Sequence, residues 1–317
     1  MSQSSSPVSP SYKCLDTARR PRAFLFPIFK PTHTSNIFFK MGNELSRAKA
    51  FALGSWIINF STQTYGMVIK PNMKDIADAN HFAFSPNPYF IAAFFSGQTI
   101  LHVYWMKSLF QIPSESVEEA KGYGSINEFG GGAESEEKME EKQAIRTTLD
   151  YVPIFAVGNL CIAGWLFFWL NNSFSFSQAV VTVNTLIQLY ATYMLPPLYP
   201  TSHPLLRATH LVVKTFAGIG VLDFIDNGGV ALRLKAPPSA ILQYLTFILF
   251  PIATASSAPI FGSCLVYDLL AMFVGQRFGG SDLSATNGMK GWGMKLGWTA
   301  LVSAGLVAVK AFRGSRL

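Results

Sequence analysis

Long apolar runs, separated by shorter polar segments, set the pattern of this chain between Ala50 and Lys310. A helix needs about 20 apolar residues, each rising 1.5 Å, to cross about 30 Å of hydrocarbon. Eight segments approach this length: 50–69, 88–110, 151–170, 177–195, 208–226, 239–258, 260–276 and 292–310. The pattern predicts an all-α fold, a polytopic helical membrane bundle with about eight transmembrane helices. The alternative is seven, because the fifth segment contains His210, Lys214 and Asp223.

Polar stretches divide the chain around this membrane domain, which we place at residues 50–310. Residues 1–49 are basic and Ser-rich, which is typical of a disordered cytoplasmic tail but also of an organellar transit peptide. A third alternative is that translation begins at Met41, which makes residues 1–40 a gene-model extension. Residues 111–150 are hydrophilic and predict a disordered cytoplasmic loop, with a short polar helix around 136–146. Residues 311–317 form a short basic C-terminal tail.

Composition and charge agree with a membrane location. Charged residues make up 14% of the chain, whereas soluble domains carry about 25%. The net charge of +7 comes from basic residues that flank the apolar segments, so it indicates membrane orientation and no nucleic-acid partner. With eight spans, most Lys and Arg residues lie on the side of the N-terminal tail, which predicts that both termini are cytoplasmic. The organelle is left open.

Polar residues recur at helical spacing inside the apolar segments. Asn59 and Gln63 share a face with Trp56, and Gln98 shares one with His102 and Trp105. A further pair, Asn184 and Gln188, is one turn apart. These faces must point away from lipid, since an unpartnered amide in hydrocarbon costs several kcal/mol. They either form interhelical hydrogen bonds that fix the packing, or line a pocket walled by tryptophan.

Ionisable residues inside apolar segments indicate function by default. His210 and Lys214 are one turn apart, and Lys214 is close enough to the helix end to snorkel. Asp223 and Asp226 share another face near the far end of the same segment. Asp268 lies midway along the seventh segment, where we expect it to be protonated or paired with a side chain such as His102 or Lys214.

The sequence carries no motif for nucleotide binding, hydrolysis or metal chemistry, and we predict no cofactor. Its five histidines form no His-x-x-x-His pair. Cys161 and Cys264 fall within apolar segments, where a thiol behaves as a small hydrophobic group. An enzyme is therefore the least favoured class, although the sequence leaves it open.

Two segments, residues 85–95 (SPNPYFIAAFF) and 213–223 (VKTFAGIGVLD), resemble a fungal family of multi-pass membrane proteins of unknown function. More distantly, Trp165-Leu166-Phe167-Phe168-Trp169 and the Asn-containing turn after it are similar to the tryptophan-rich sensory protein and translocator protein group. This resemblance implies a helical bundle that binds porphyrins, sterols or other apolar ligands. That group commonly has an Asn three residues before the first Trp, where this chain has Ile162.

Together these patterns predict an integral membrane protein that binds or transports a small apolar ligand through a polar-lined bundle. The alternative is a structural or scaffolding membrane protein whose loop at 111–150 binds a partner. The expected partners are membrane lipids and a small apolar ligand, and protein partners are left open. The candidate ligand-binding residues are Asn59, Gln63, Gln98, His102, Trp105, Lys214, Asp223, Asp226 and Asp268.

Overall fold

The computed structural model describes residues 44–122, 133–199, 201–278 and 287–314, and the regular secondary structure in these ranges is entirely α-helical. The helices there are α1 (Glu44–Val68), α2 (Met73–Ala79), α3 (Pro88–Phe110), α4 (Ser114–Gly122), α5 (Ala133–Leu170), α6 (Phe174–Met194), α7 (Pro204–Ala231), α8 (Ala240–Ser256), α9 (Pro259–Phe278) and α10 (Asn287–Gly314). The predicted N-terminal tail lies outside these ranges, except for residues 44–49, which begin α1. Residues 315–317 of the C-terminal tail also lie outside them, and α10 includes 311–314.

Each of the eight predicted apolar segments lies in a separate long helix. By length and composition, four helical segments could cross a membrane: Glu137–Leu170, Pro204–Ala231, Pro259–Phe278 and Lys290–Arg313. A fifth, α8, is apolar but has only 17 residues. The structure therefore shows a helical bundle with four candidate spans, and a count of eight needs α1, α3, α6 and α8 in addition.

The central element of the bundle is α7, which contacts α3, α5, α6 and α9. Small residues on α7 permit these close approaches: Gly218 lies against Cys264 of α9, and Gly220 lies against Thr185 of α6. A methyl group at position 218 would collide with the Cys264 side chain. In lipid, where helices gain no hydrophobic attraction for one another, such close packing is a principal source of association. Cys264 is buried and free, which agrees with a packing role.

The hydrophilic segment 111–150 differs from its prediction as a disordered loop. Residues 114–122 form α4 and residues 133–150 form the first part of α5, while 123–132 lie outside the described residues. The reason is that α4 is amphipathic: Val117 and Ala120 are buried in the same core as Ala144 and Ile145 of α5. The polar helix predicted around 136–146 is therefore present, but it continues directly into the apolar remainder of α5.

Between α2 and α3 the chain passes through an irregular segment, Phe82–Asn87, which we call the buried loop because residues 83–86 are buried. Its backbone groups bond to the C-terminal helices. The Gln276 amide donates to the carbonyls of Phe82 (2.7 Å) and Ser85 (3.2 Å), and Trp292 Nε1 donates to the carbonyl of Ala83. In a membrane protein, non-helical backbone is tolerated only where protein covers it and satisfies its polar groups.

Candidate functional site

A cavity of about 710 Å³ lies between α1, α2, α3, α5 and α7. Small-molecule sites usually have volumes of about 300–1,000 Å³, so this cavity is large enough for a ligand of the size of a sterol or a drug. It lies beside α7, and its two side walls are α1 and α3. We refer to it as the cavity throughout.

The side walls carry the two polar faces that the sequence pattern predicts. Asn59 and Gln63 line the cavity from α1, and Gln98 and His102 line it from α3. Asn59 Nδ2 donates to Asn159 Oδ1 of α5 at 2.8 Å, so this amide also fixes the packing of α1 on α5. Both readings of the polar faces therefore hold for Asn59, which packs through one end of its amide and faces the cavity.

The other three wall residues make no side-chain hydrogen bond to another helix in the described part of the chain, and, like Asn59 at its Oδ1, each has a buried polar atom without a partner. Nε2 of Gln63, Nε2 of Gln98 and Nε2 of His102 are buried and have no hydrogen-bond partner in the described part of the chain. Gln98 and His102 are only 5% and 4% exposed. The His102 ring is held by aromatic packing instead, with centroid distances of 4.9 Å to Phe155 and 5.6 Å to Phe216.

Aromatic side chains provide much of the remaining surface. Three tryptophans line the cavity, Trp56 from α1 and Trp165 and Trp169 from α5, and we call them the cavity tryptophans. The rings of Trp165 and Trp169 have centroids 5.8 Å apart. Trp165 Nε1 donates to Asn227 Oδ1 of α7 at 2.8 Å, and this bond holds the indole next to the acidic end of the cavity.

That end is formed by Asp223 and Asp226 of α7, which line the cavity as well. Asp226 Oδ1 accepts a hydrogen bond from Ser85 Oγ of the buried loop at 3.0 Å. Asp223 is 7% exposed, and its backbone carbonyl accepts from Asn227, but no described residue donates to its carboxylate. The two carboxyl groups are close enough to interact electrostatically.

The cavity opens between α1 and α3, whose mutual contact is slight compared with that of α1 on α5. Exposed apolar residues lie along this opening, among them Met67, Tyr89 and Ile100. The short helix α2 covers one end, where Lys74 pairs with Asp78. Next to α2, burial lowers the pKa of His81 below its usual value, which favours a neutral imidazole at this end.

Three of the nine candidate residues, Trp105, Lys214 and Asp268, do not line the cavity. Trp105 is fully buried one turn beyond His102, where its Nε1 donates to Thr209 Oγ1 at 3.0 Å. Lys214 Nζ lies 2.9 Å from His210 Nδ1 on its own helix. Helical spacing shows which residues share a face, but it does not show what that face contacts.

Asp268 of α9 is the third. It is 0% exposed, and both of its carboxyl oxygens lack a hydrogen-bond partner among the described residues. The expected pairing with Lys214 or His102 is therefore wrong, because Lys214 is bonded to His210 and the His102 ring packs against Phe155 and Phe216. That Asp268 carries a proton stays a prediction.

The structure also adds residues that sequence reasoning did not place in the site. Trp165 and Trp169, which carry the family resemblance, are four residues apart, and this spacing indicates a shared helix face. Ser85, His81 and the residues of α2 had no such signal, since they join the cavity only through the tertiary fold.

Within the described ranges, no three His, Cys, Asp or Glu side chains come together as a metal site. No protein-family model, no curated protein and no solved structure matches this chain.

Proposed function

We propose that this chain is a multi-pass membrane protein whose cavity binds a small, mostly apolar ligand. The observation that supports this most strongly is that three residues lining the cavity, Gln63, Gln98 and His102, each have a buried side-chain nitrogen without a hydrogen-bond partner among the described residues. A buried polar group without a partner costs about 1–3 kcal/mol. Violations of this kind are expected where a site is built for a ligand, and a ligand with one or two polar atoms would supply the missing bonds.

The surroundings of these nitrogens favour an apolar body for the ligand. The cavity tryptophans and Phe216 offer flat hydrophobic surfaces, and the opening between α1 and α3 is bordered by exposed apolar side chains. Exposed apolar residues on a membrane protein face lipid, so a ligand can enter sideways from the bilayer. The similarity of the Trp165 and Trp169 segment to the translocator protein group is in keeping with an apolar ligand, since both tryptophans line the cavity.

We further propose that eight helices cross the membrane: α1, α3 and α5 to α10. Helices α1, α3 and α6 have 25, 23 and 21 residues, which at 1.5 Å per residue is enough for about 30 Å of hydrocarbon. Their polar residues include Asn59, Gln98 and Gln188, which face the cavity or a neighbouring helix, so these residues do not oppose insertion as lipid-facing ones would. With eight spans both termini are cytoplasmic.

The topology is tested by protease access in sealed vesicles that carry a tag at each terminus. We expect both tags to be cleaved from the same side. Cleavage of the two tags from opposite sides would contradict the eight-span count without affecting the cavity.

Ligand binding is tested through the fluorescence of the cavity tryptophans. The purified protein in phosphatidylcholine nanodiscs is titrated with an ω-bromoalkyl alcohol, whose bromine quenches a nearby indole. We expect saturable quenching that is lost when Trp56, Trp165 and Trp169 are all replaced by Phe. The matched control is Trp298→Phe on α10, because Trp298 is 63% exposed and lies outside the cavity. This control should keep the saturable component.

Quenching that rises in proportion to the probe, and to the same extent in both variants, would show partition into the lipid alone. That result would refute the binding proposal.

A further inference from the structure

The acidic end of the cavity has two carboxyl groups, and no described lining residue gives either of them a basic partner. Among the described lining residues, Lys74 is the one with a Lys or Arg side chain, and it is paired with Asp78 at the α2 end. Asp223 and Asp226 are left without a basic partner. Asp268 adds a third carboxyl group close enough to interact electrostatically with Asp223. Lys214, on the same helix as the two lining aspartates, is bonded to His210 away from the cavity.

Structural roles account for only one of the two carboxyl groups at the acidic end of the cavity. Asp226 accepts a hydrogen bond from Ser85 of the buried loop at 3.0 Å, so it helps hold that loop. Asp223 is buried, with 7% of its surface exposed, and its carboxyl group has no such partner among the described residues. A carboxylate that faces a cavity without a donor is an acceptor available to a ligand.

We infer that the ligand carries a protonated amine, whose ammonium group binds at Asp223 next to Trp165 while its apolar tail lies between α1 and α3. This inference rests on the proposed function and names the class of ligand for the same cavity. An ammonium group brings three N–H donors, which suit the free carboxylate of Asp223 and the second oxygen of Asp226. Its charge also relieves the repulsion between the neighbouring carboxyl groups.

One feature of the cavity that is independent of its carboxyl groups points to a polar ligand. Gln98 and His102 line the same cavity and are more than nine-tenths buried, and Nε2 of each lacks a hydrogen-bond partner in the described part of the chain. The indole of Trp165 also lines the cavity and is held by Asn227, the residue after Asp226. A carboxylate ligand would instead add a further negative charge beside Asp223.

The experiment compares three amphiphiles with the same ω-bromoalkyl chain and different heads: a primary amine, an alcohol and a carboxylate. Each is titrated into the protein in phosphatidylcholine nanodiscs at neutral pH, and saturable quenching of the cavity tryptophans gives the Kd. We expect the amine to bind about tenfold or more tightly than the alcohol, since one hydrogen bond to a charged group is worth about 1.5–3 kcal/mol and 1.4 kcal/mol is tenfold in Kd. The carboxylate should bind most weakly.

Asp223→Asn should remove the advantage of the amine. The Kd of the alcohol should stay within about twofold of its value for the original protein, which is a change of about 0.4 kcal/mol. The matched control is Asp78→Asn, the same chemical change at an exposed lining residue that is already paired. This control should alter the amine Kd much less than Asp223→Asn does.

Several results overturn the inference. One is an amine that binds the original protein no more tightly than the alcohol, which decides the question even if Asp223→Asn does not fold. Another is an equal loss for amine and alcohol in Asp223→Asn, which would indicate a change of cavity shape. Equal effects of the two variants would indicate general surface charge. If none of the three probes produces saturable quenching, the proposed function itself fails.

Discussion

Replacing Gln98 with Met is expected to stabilise the protein and to weaken ligand binding at the same time. Gln98 is 5% exposed, and no described residue bonds to its amide. Removing an unpartnered buried polar group returns about 1–3 kcal/mol. Met has nearly the length and volume of Gln, and swaps that conserve volume usually cost less than about 1.5 kcal/mol. The free energy of unfolding should therefore rise by about 1 kcal/mol.

The matched control is Gln188→Met on α6, the same substitution at a glutamine that has partners. Gln188 Oε1 accepts a hydrogen bond from Tyr151 Oη at 3.0 Å, and Gln188 Nε2 donates to the Ile154 carbonyl at 3.4 Å. Its loss leaves the buried Tyr151 hydroxyl without an acceptor. We expect the free energy of unfolding to fall by about 1–2 kcal/mol, in the range of buried hydrogen bonds and of interhelical ones in membranes.

The assay is equilibrium unfolding of both variants in mixed micelles, in which the denaturing detergent is increased and helix content is followed by circular dichroism. The ω-bromoalkyl alcohol should raise the stability of the original protein by RT ln(1 + [L]/Kd) and that of Gln98→Met by much less. If the two substitutions shift stability in the same direction, the reasoning from hydrogen-bond satisfaction is refuted.

Two further predictions concern the elements around the cavity. Gly275→Ala places a methyl group against the backbone of the buried loop and should lower the free energy of unfolding by about 1–3 kcal/mol. The control Gly305→Ala meets nothing within 4 Å and should be neutral or stabilising by up to about 1 kcal/mol. A similar loss of stability in both variants would contradict this prediction. At the start of α2, hydrogen bonds from the Asn72 backbone N–H and the Lys70 ammonium hold the pKa of the Asp75 carboxyl below its usual value. The capping contribution of Asp75 is therefore complete above the usual carboxyl pKa and is lost as the pH falls through the lowered one. Hydrogen exchange of the α2 amides should show this loss, and the loss should be absent in Asp75→Asn.

Most of the long helices could be predicted from hydropathy because each needs a run of apolar residues that is visible in the chain. The break between α8 and α9 could be predicted from Ser256 to Pro259, and α3 begins at Pro88 as its turn signal indicates. By contrast, α2 and α4 have 7 and 9 residues, too few for a clear period, and they depend on packing against α5 and on capping. The α2 cap is a reciprocal pair of bonds between Asn72 and Asp75.

The candidate site was predictable where one helix carries the information. The spacing of Asn59 and Gln63, and of Gln98 and His102, shows a shared face, and the cavity lies between those two faces. The spacing does not show which helix lies opposite. For that reason the spacing places Trp105 with His102, although Trp105 donates to Thr209, and it does not show that Lys214 contacts His210 instead of the cavity.

The buried loop has a consequence for the order in which the molecule can assemble. The carbonyls of Phe82, Ala83 and Ser85 accept hydrogen bonds from Gln276 and Trp292, which are 191–209 residues later in the chain. An N-terminal fragment that lacks α9 and α10 would leave these carbonyls without their donors. The cavity, which Ser85 borders, can therefore reach its final shape only after α9 and α10 have packed against the buried loop.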